Sequence, residues 1–579
     1  MPPAAETPPR AQAVRHFGRF QLLGLAGKSE CTMAWRVADP QRTQELLLVL
    51  PRVQPPDGPA LESWNQGLRR ASRLAHPNLA PVVEVGLQDG WPYAAYDPGD
   101  AATLAEKMSV QGMPGLELAT LSLELLQGLA FAHEAGIAHR DLQPYLVLLS
   151  AQGVPQIVGF EVAPEASGTA PLAFDHGGLR AQRDAAQRDL LTFGVLLHHA
   201  LLGRPALDQP DTGRVVRSLP PSGRDVVRLP YGTVQIPEPL RAIINRATDR
   251  HERHRYRNAR TLVHALEGWL KTGSASGHGP LALLLDRLAR VGLLPASPGA
   301  AVRVGSLAGM DCKRTSELAA VVLKDIALSF ELLRVVNSAQ LRASALGGSG
   351  PVLTVRRAIA MIGTDGVRQA AQALRPWPGP LPEAAALMLE QQLARAERAG
   401  QLALRLRPPG YDTEVVFLVT LLQTLGRLVV QYHFPDDALQ IRRLMQPAAA
   451  ERPGEADDPG MSEEAASFAV LGTDIEALGL AVARHLGLDD AVLAMIRRVP
   501  LDRPVRVAES EDELLRMLAS CAHEALDALD LPSAQHGPAL ARIANRYARA
   551  LDLDGRRLHH ALQSAPEPVA VADSALAPL

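Results

Sequence analysis

The sequence contains few cysteines and few lysines. Three cysteines occur among 579 residues, at Cys31, Cys312 and Cys521, and no two of them are close in sequence. This spacing argues against a disulfide framework or a cysteine-rich zinc site, and it favours a reducing compartment. Lysine occurs five times and arginine supplies the remaining basic residues, so few ammonium groups are available to any function that needs one.

The charge balance and the apolar runs argue against two further classes of protein. The 59 basic and 62 acidic residues give a formal net charge of -3, which is not typical of a nucleic-acid-binding protein or a polybasic membrane anchor. The longest apolar runs, around 190–202 and 415–430, are short and interrupted, and the proline-rich N-terminus lacks the apolar core of a signal peptide. We therefore expect a cytoplasmic protein with no nucleic-acid partner and no membrane insertion.

Composition and periodicity predict a folded, multidomain chain. Hydrophobic residues make up 47% and charged residues 21% of the sequence, as in ordinary globular proteins. Strand-like runs dominate up to about residue 104, helical patterns follow to about 270, and the chain after 281 reads as almost entirely helical. We predict a flexible tail (1–16), an α+β bilobal domain (17–271), a linker (272–280), an all-α domain (281–505) with a disordered loop (446–460), a helical extension (506–563) and a second tail (564–579).

Five landmarks in the first domain resemble the bacterial Ser/Thr protein kinase fold. They are LLGLAG at 22–27, HPNLAPVVEVG at 76–86, HRDLQP at 139–144, Asp189 at the start of a buried helix, and Arg255 near the end of the domain. The resemblance implies a site for ATP and Mg²⁺. In that site a glycine-rich loop and a lysine meet the phosphates, and an aspartate and an asparagine hold the metal.

Most positions that should carry this chemistry have changed. The family's lysine falls on Leu48, and its partner glutamate falls on or beside Gly67. In the catalytic loop a second lysine and the metal-binding asparagine fall on Gln143 and Leu146, and the aspartate of the Asp-Phe-Gly motif falls on Gly159. Magnesium needs hard oxygen ligands, which leucine and glycine side chains do not offer. The resemblance therefore implies a pseudokinase.

An atypical active kinase remains the alternative. Asp141 is retained as the remnant of the catalytic base, and Gly24 and Gly27 keep part of a nucleotide-binding loop with Lys28 at its tip. Glu161 lies two positions after the missing aspartate and is the nearest candidate metal ligand. An active enzyme would use Lys28, Asp141 and Glu161 with ATP and Mg²⁺, whereas the pseudokinase interpretation needs no cofactor.

The helical half resembles the HDOD domain, a relative of the HD phosphohydrolases found in bacterial signalling proteins. The resemblance rests on LARVGLLPASP, on TSELAAVVLKDIALSFELLRVVNSAQL at 315–341 and on VRRAIAMIGTDGVRQAA at 355–371. HD hydrolases hold a catalytic cation through a His-Asp pair and further histidines. Gln423 and Thr424 replace the pair here, and Ile475 stands where another histidine is expected, so we predict no metal site.

Two enzyme folds without their charged catalytic positions predict a noncatalytic signal-transduction scaffold. Such a protein would act by binding other signalling proteins. The alternative is an active Ser/Thr kinase that its HDOD domain regulates. A third class, hydrolysis of cyclic dinucleotides by the helical half, would require a bound transition metal.

Overall fold

The computed structural model divides the chain into two compact units. The first comprises residues 1–279 and 441–472, and the second comprises residues 280–440 and 473–579. The described residues are 15–56, 58–163, 176–230, 236–273, 280–297, 315–337, 351–449, 457–501 and 503–563. Most of the two predicted tails and of the predicted linker, and the centre of the loop 446–460, lie outside the described residues.

An antiparallel sheet forms the N-terminal lobe of the first unit. Its strands are β1 (His16–Phe17), β2 (Phe20–Lys28), β3 (Thr32–Asp39), β4 (Gln44–Pro51), β5 (Val82–Gln88) and β6 (Trp91–Tyr96). The spatial order is β1-β2-β3-β4-β6-β5, and helix α1 (Pro59–Ala71) connects β4 to β5. The prediction that strands dominate this part of the chain is confirmed.

The two faces of β4 bury different side chains, because successive residues of a strand point to opposite faces. One face belongs to a buried cluster that contains Phe20, Leu46, Leu48, Leu50 and Tyr93. The other face belongs to a cluster that contains Leu47, Val49, Tyr96, Tyr145 and Leu146. The second cluster includes residues of the C-terminal lobe. The odd-numbered positions of β4 therefore face the cleft between the lobes.

Helices and a small sheet form the C-terminal lobe. The helices are α2 (Leu104–Lys107), α3 (Gly115–Glu134), α4 (His176–Leu202), α5 (Thr212–Ser218), α6 (Glu238–Ala247) and α7 (Ala259–Gly273), and the strands are β7 (Ala102–Thr103), β8 (Val147–Leu149) and β9 (Pro155–Ile157). Buried Asp189 on α4 accepts hydrogen bonds from the backbone N–H groups of His139 at 2.7 Å and Arg140 at 2.8 Å. The carboxylate of Asp189 thereby fixes the backbone of the HRD segment.

One described helix, α3, is long and apolar enough to cross a membrane when only length and composition are considered. The number rises to three if each of two bent helix pairs, Thr413–Leu422 with Leu425–His433 and Glu463–Leu471 with Ile475–His485, is taken as one span. In the structure 61% of the apolar window of α3 is buried. Leu118, Leu125 and Leu129 of this helix lie in the main hydrophobic cluster of the lobe.

From residue 280 onward the described chain is helical, as predicted. The helices are α8 (Pro280–Val291), α9 (Thr315–Val322), α10 (Ile326–Val336), α11 (Val355–Ala373), α12 (Glu383–Leu406), α13 (Thr413–Leu422), α14 (Leu425–His433), α15 (Pro435–Met445), α16 (Glu463–Leu471), α17 (Ile475–His485), α18 (Asp490–Ile496), α19 (Glu511–Leu529), α20 (Ser533–Leu551) and α21 (Gly555–Gln563). Helix α16 and the end of α15 belong to the first unit, and the others belong to the second.

Side-chain caps begin several of these helices. The Asp325 carboxylate accepts the N–H of Leu328 at the start of α10, and the Asp412 carboxylate accepts the N–H of Glu414 at the start of α13. Ser510 caps α19 in the same way. Each cap satisfies one of the backbone donors that the first turn of a helix leaves without a partner.

Candidate functional site

The carboxylate of Asp141 lies at the centre of the candidate site and is only 2% exposed. Its Oδ2 accepts hydrogen bonds from the hydroxyls of Ser29 and Thr32, each at 2.6 Å, and its Oδ1 accepts one from the Gln143 amide at 2.7 Å. Burial raises the pKa of Asp141 above its ordinary value, although these three hydrogen bonds oppose the shift. A general base must reach the proton that it abstracts, and this carboxylate is already bound on both oxygens.

The turn between β2 and β3, residues 28–32, closes over Asp141, and we call it the closing turn. The Ser29 hydroxyl accepts the backbone N–H groups of Cys31 and Thr32, each at 2.9 Å, while it donates to Asp141. A hydroxyl has one donor and two acceptor positions, so the bonding capacity of Ser29 is fully used. The turn is therefore ordered by its own backbone as well as by Asp141.

Contacts of Glu30 attach the closing turn to the C-terminal lobe. The backbone N–H of Glu30 donates to the Asp211 carboxylate at 2.8 Å, and the Glu30 carboxylate pairs with Arg214 at 2.5 Å and with Arg217. Asp211 also caps the N-terminus of α5 and accepts from the Gln143 amide at 2.9 Å. Exposed ion pairs stabilise little on their own. The buried contacts of the turn thus contribute more to closure than the arginine pairs do.

Tyr145 occupies the space beneath the glycine-rich strand. A Cβ added to Gly27 would lie 2.2 Å from the Tyr145 ring, whereas nothing lies within 4 Å of a Cβ added to Gly24. The Tyr145 hydroxyl is 3.0 Å from the Thr32 hydroxyl, and burial raises the pKa of Tyr145. Gly27 is therefore required for a close approach to an aromatic ring. Lys28, the next residue, has an exposed side chain.

Apolar groups meet at the positions that would hold the phosphates and the metal. A Cβ on Gly159 would lie 3.4 Å from Val49 Cγ1 and 3.5 Å from the Cδ atoms of Leu146. Leu48, the predicted lysine position, lies instead on the opposite face of β4 with Phe20. Val49, the next residue, lies on the face of β4 that turns toward the cleft, because the period of a strand is two residues. Valine and leucine alike provide no charge for a phosphate.

Glu161 is engaged by the catalytic loop. Its Oε2 lies 3.3 Å from Nη1 of Arg140, and its side chain is 6% exposed. A Cβ at Gly67 on α1 would lie 3.0 Å from the same oxygen. The carboxylate of Glu161 therefore reaches the helix position at which the resemblance implies a glutamate, and its charge is matched by an arginine.

ATP with Mg²⁺ does not fit the residues of this cleft. Phosphoryl transfer depends on neutralising the phosphates and on metal ligands with oxygen atoms. Val49, Leu146 and Gly159 supply neither, and the Asp141 carboxylate is buried under the closing turn.

Thr32, Tyr145 and Asp211 are among the residues of this arrangement that were not singled out from the sequence. Ser29 carries a usable signal, because a hydroxyl replaces a glycine in the loop motif. Asp211 lies 68 residues from Gln143, and no local pattern links the two. The sequence indicated which groups are lost, but not which groups replace them.

The predicted HD positions of the second unit make structural contacts. The Gln423 amide donates to the backbone carbonyls of Met495 and Arg516, each at 3.2 Å, and the Thr424 hydroxyl donates to the carbonyl of Leu421 at 2.7 Å. The backbone carbonyl of Ile475 would lie 2.2 Å from a Cβ on Gly426, so α14 and α17 cross closely here. Among the described residues, no group of three His, Cys, Asp or Glu side chains could hold a metal ion.

Arginines surround a carboxylate on α19 of the second unit. Arg395 lies 2.5 Å from Asp527 and 2.6 Å from Asp530, and Arg498 lies 3.5 Å from Asp527. Burial raises the pKa of Asp527, but the charges of Arg498, Arg427 and Arg395 outweigh that effect and hold the pKa below its ordinary value. Arg395 and Arg498 thus neutralise the charge of the Asp527 carboxylate.

Comparisons with known proteins agree with both halves of this description. The HDOD domain family matches residues 294–500. The N-terminal region matches bacterial Ser/Thr protein kinases, among them PrkC of Bacillus subtilis (strain 168), which is 23% identical over 268 residues that form 43% of this chain and 40% of that protein. The probable serine/threonine-protein kinase pknA2 of Bifidobacterium longum is 25% identical over 207 residues, 33% of this chain and 27% of that protein.

Among solved structures, the kinase domain of Mycobacterium tuberculosis PknI matches part of this chain. It is 20% identical, covers 44% of this chain and 98% of its own, and has a TM-score of 0.31. The chain matches less than half the length of the two curated relatives. The chain therefore carries an HDOD domain at residues 294–500 and a protein-kinase-like N-terminal region.

Proposed function

We propose that this protein is a noncatalytic signalling scaffold of the bacterial cytoplasm. In this proposal the kinase-like region is a pseudokinase, the HDOD domain is degenerate, and both act by binding other signalling proteins. No cofactor takes part.

The state of Asp141 carries the proposal. In an active kinase this carboxylate must be open to the hydroxyl of a substrate. Here the hydroxyls of Ser29 and Thr32, from the opposite lobe, donate hydrogen bonds to the Asp141 carboxylate. The turn that would cover the phosphates in an active kinase contacts Asp141 instead. The apolar contact among Val49, Leu146 and Gly159 supports the same conclusion, because it cannot offset the charge of a triphosphate.

The second unit supports the scaffold function independently. The side chains of Gln423 and Thr424 donate hydrogen bonds to backbone carbonyls. Asp527 is paired with Arg395 and Arg498. These contacts stabilise helix packing and leave no His-Asp pair for a catalytic cation.

The alternative is an atypical active kinase, which the names of the matched relatives favour. It would use Lys28, Asp141 and Glu161. Against it stand the exposure of Lys28 and the pairing of Glu161 with Arg140.

A phosphate-transfer assay separates the two functions. The full chain is incubated with γ-labelled ATP, millimolar Mg²⁺ or Mn²⁺ and a generic protein substrate, beside the Asp141→Asn variant as the control. We expect label incorporation by the two proteins to be equal and at background. Incorporation that the Asp141→Asn substitution abolishes would establish the kinase and end the scaffold proposal.

A further inference from the structure

Residues 441–472 lie within the HDOD match at 294–500, yet the described residues among them, 441–449 and 457–472, pack with the kinase-like unit. The chain leaves the first unit after residue 279, returns at 441 and leaves again after 472. We call residues 441–472 the docking segment. Helix α16 of this segment packs against α6 and α7.

Small buried residues and a terminal glycine allow helix α16 to pack closely against α7. Ala466, Ala469 and Val470 are buried with at most 3% exposure. Gly472 ends the helix with a φ of +73°, and a Cβ at this position would lie 2.3 Å from the backbone N of Trp269 and 2.4 Å from the backbone O of Ala265 on α7. Only glycine adopts this backbone conformation without strain and leaves room for α7.

Two buried donors on the kinase-like lobe bind the C-terminal end of α16. The carbonyl of Ala469 accepts hydrogen bonds from Arg246 Nη1 at 3.0 Å and from the Tyr256 hydroxyl at 2.6 Å. The guanidinium of Arg246 lies 4.2 Å from the centre of the Tyr256 ring and also donates to the carbonyl of His254 at 2.9 Å. A cation at the C-terminus of a helix is stabilised by the helix dipole. The two donors are thus held in place to bind a helix end.

A second point of attachment surrounds Asp458, which is 4% exposed. Its carboxylate pairs with Arg253, lies 3.0 Å from His254 Nε2 and lies 3.6 Å from His251 Nε2. Arg253 also donates to the carbonyl of Gln446 at 2.8 Å. All three cationic or ionisable side chains come from the connection between α6 and α7, so one buried acid is recognised by one loop.

We propose that the face formed by α6, α7 and their connection is a docking surface whose partner is residues 441–472 of the same chain. Asp458 and the carbonyl of Ala469 are the two groups that the surface recognises, and the segment binds and is released as one element. The chain continues into the second unit at both ends of the docking segment. In this proposal, a movement of the backbone at residue 440 or 473 changes the fraction of molecules in which the segment is bound to the docking surface. The inference does not rest on the kinase cleft being inactive.

Hydrogen exchange on the full chain tests this proposal. Loss of a hydrogen bond to a charged group costs about 1.5–3 kcal/mol, which corresponds to a rise of roughly 10- to 150-fold in the population of a locally opened state. We expect the Asp458→Asn substitution to accelerate exchange by that factor throughout Glu463–Leu471. The charge-matched control is Asp436→Asn, since Asp436 is exposed on α15, and it should leave the exchange of α16 unchanged.

A milder substitution addresses the second recognised group. Tyr256→Phe removes only the hydroxyl that bonds to Ala469, a neutral hydrogen bond whose loss corresponds to roughly a fivefold effect. It should accelerate exchange in the same residues of α16 and leave the sheet lobe as it was. If either substitution accelerates exchange only near its own site, or leaves α16 as protected as before, residues 441–472 are not a docking element of this surface.

Discussion

Replacement of Asp141 by alanine tests whether this residue closes the cleft or is a catalytic residue that has been kept. Catalytic residues are often strained, and their removal tends to stabilise a protein or leave its stability unchanged. A residue that holds two lobes together has the opposite effect. The closing interpretation of Asp141 therefore predicts a decrease in the free energy of unfolding, whereas the catalytic interpretation predicts an increase or no change.

The magnitude follows from the contacts. Ser29 is 8% exposed and Thr32 is fully buried, and both donate to Asp141 at 2.6 Å. A buried donor that loses its acceptor costs about 1–3 kcal/mol. Removal of the buried carboxylate recovers part of its desolvation cost. We expect Asp141→Ala to lower the free energy of unfolding of the first unit by about 2–4 kcal/mol.

Urea unfolding of the full chain measures this effect through tryptophan fluorescence, because Trp35, Trp64 and Trp91 lie in the sheet lobe. Asp184→Ala, at an exposed position of α4, is the control and should leave the midpoint unchanged. Once Asp141 is alanine, a further Ser29→Ala substitution should cost less than it does in the unmodified protein, because the bond between the two residues is already gone and only the bonds of Ser29 to the backbone of Cys31 and Thr32 remain to be lost. A midpoint for Asp141→Ala that equals or exceeds that of the unmodified protein would refute the closed-cleft interpretation.

Two further predictions concern packing and pH. Gly27→Ala should destabilise the first unit by about 1–3 kcal/mol, because the added methyl overlaps the Tyr145 ring. Gly24→Ala is the control and should change stability little, because its added methyl meets open space. Equal effects of the two substitutions in urea unfolding would contradict this packing. Burial lowers the pKa of His433 to about 4, below the ordinary value of about 6.5. Between pH 4 and pH 6.5 the unfolded chain therefore binds more protons than the folded chain, so the free energy of unfolding decreases as the pH is lowered. From pH 7 to pH 5 we expect a loss of about 2 kcal/mol from this residue. His433→Gln should reduce that pH dependence, and an unchanged dependence would show that His433 does not cause it.

The sequence predicted the elements of the fold where local signals are strong. Asp189 and the HRD segment could be recognised because a short motif and a buried helix occur in the order that the kinase fold requires, and the structure joins them through backbone hydrogen bonds. The losses at Leu146 and Gly159 were likewise visible, since each position is fixed by its distance along the chain from Asp141.

Three features could not be predicted because they depend on tertiary contacts. The run from Leu46 to Leu50 is apolar throughout, so it carries no alternation that would reveal which residue faces the cleft. The sequence therefore does not show that Leu48 and Val49 belong to different faces of β4. The bond between Ser29 and Asp141 joins residues 112 positions apart. Residues 441–472, which include the predicted loop 446–460, were assigned from the sequence to the all-α domain (281–505), and only packing shows that they join the first unit.

The scaffold proposal requires that the cleft beside Asp141 does not bind ATP with Mg²⁺. The direct measurement is a calorimetric titration of ATP into the full chain, with and without Mg²⁺. A ligand at 100 times its dissociation constant stabilises the protein by about 2.7 kcal/mol, so a parallel measurement of melting temperature provides an independent readout. We expect no saturable heat and no shift in melting temperature at millimolar nucleotide. Saturable binding that requires Mg²⁺ and is weakened by Asp141→Asn would contradict it.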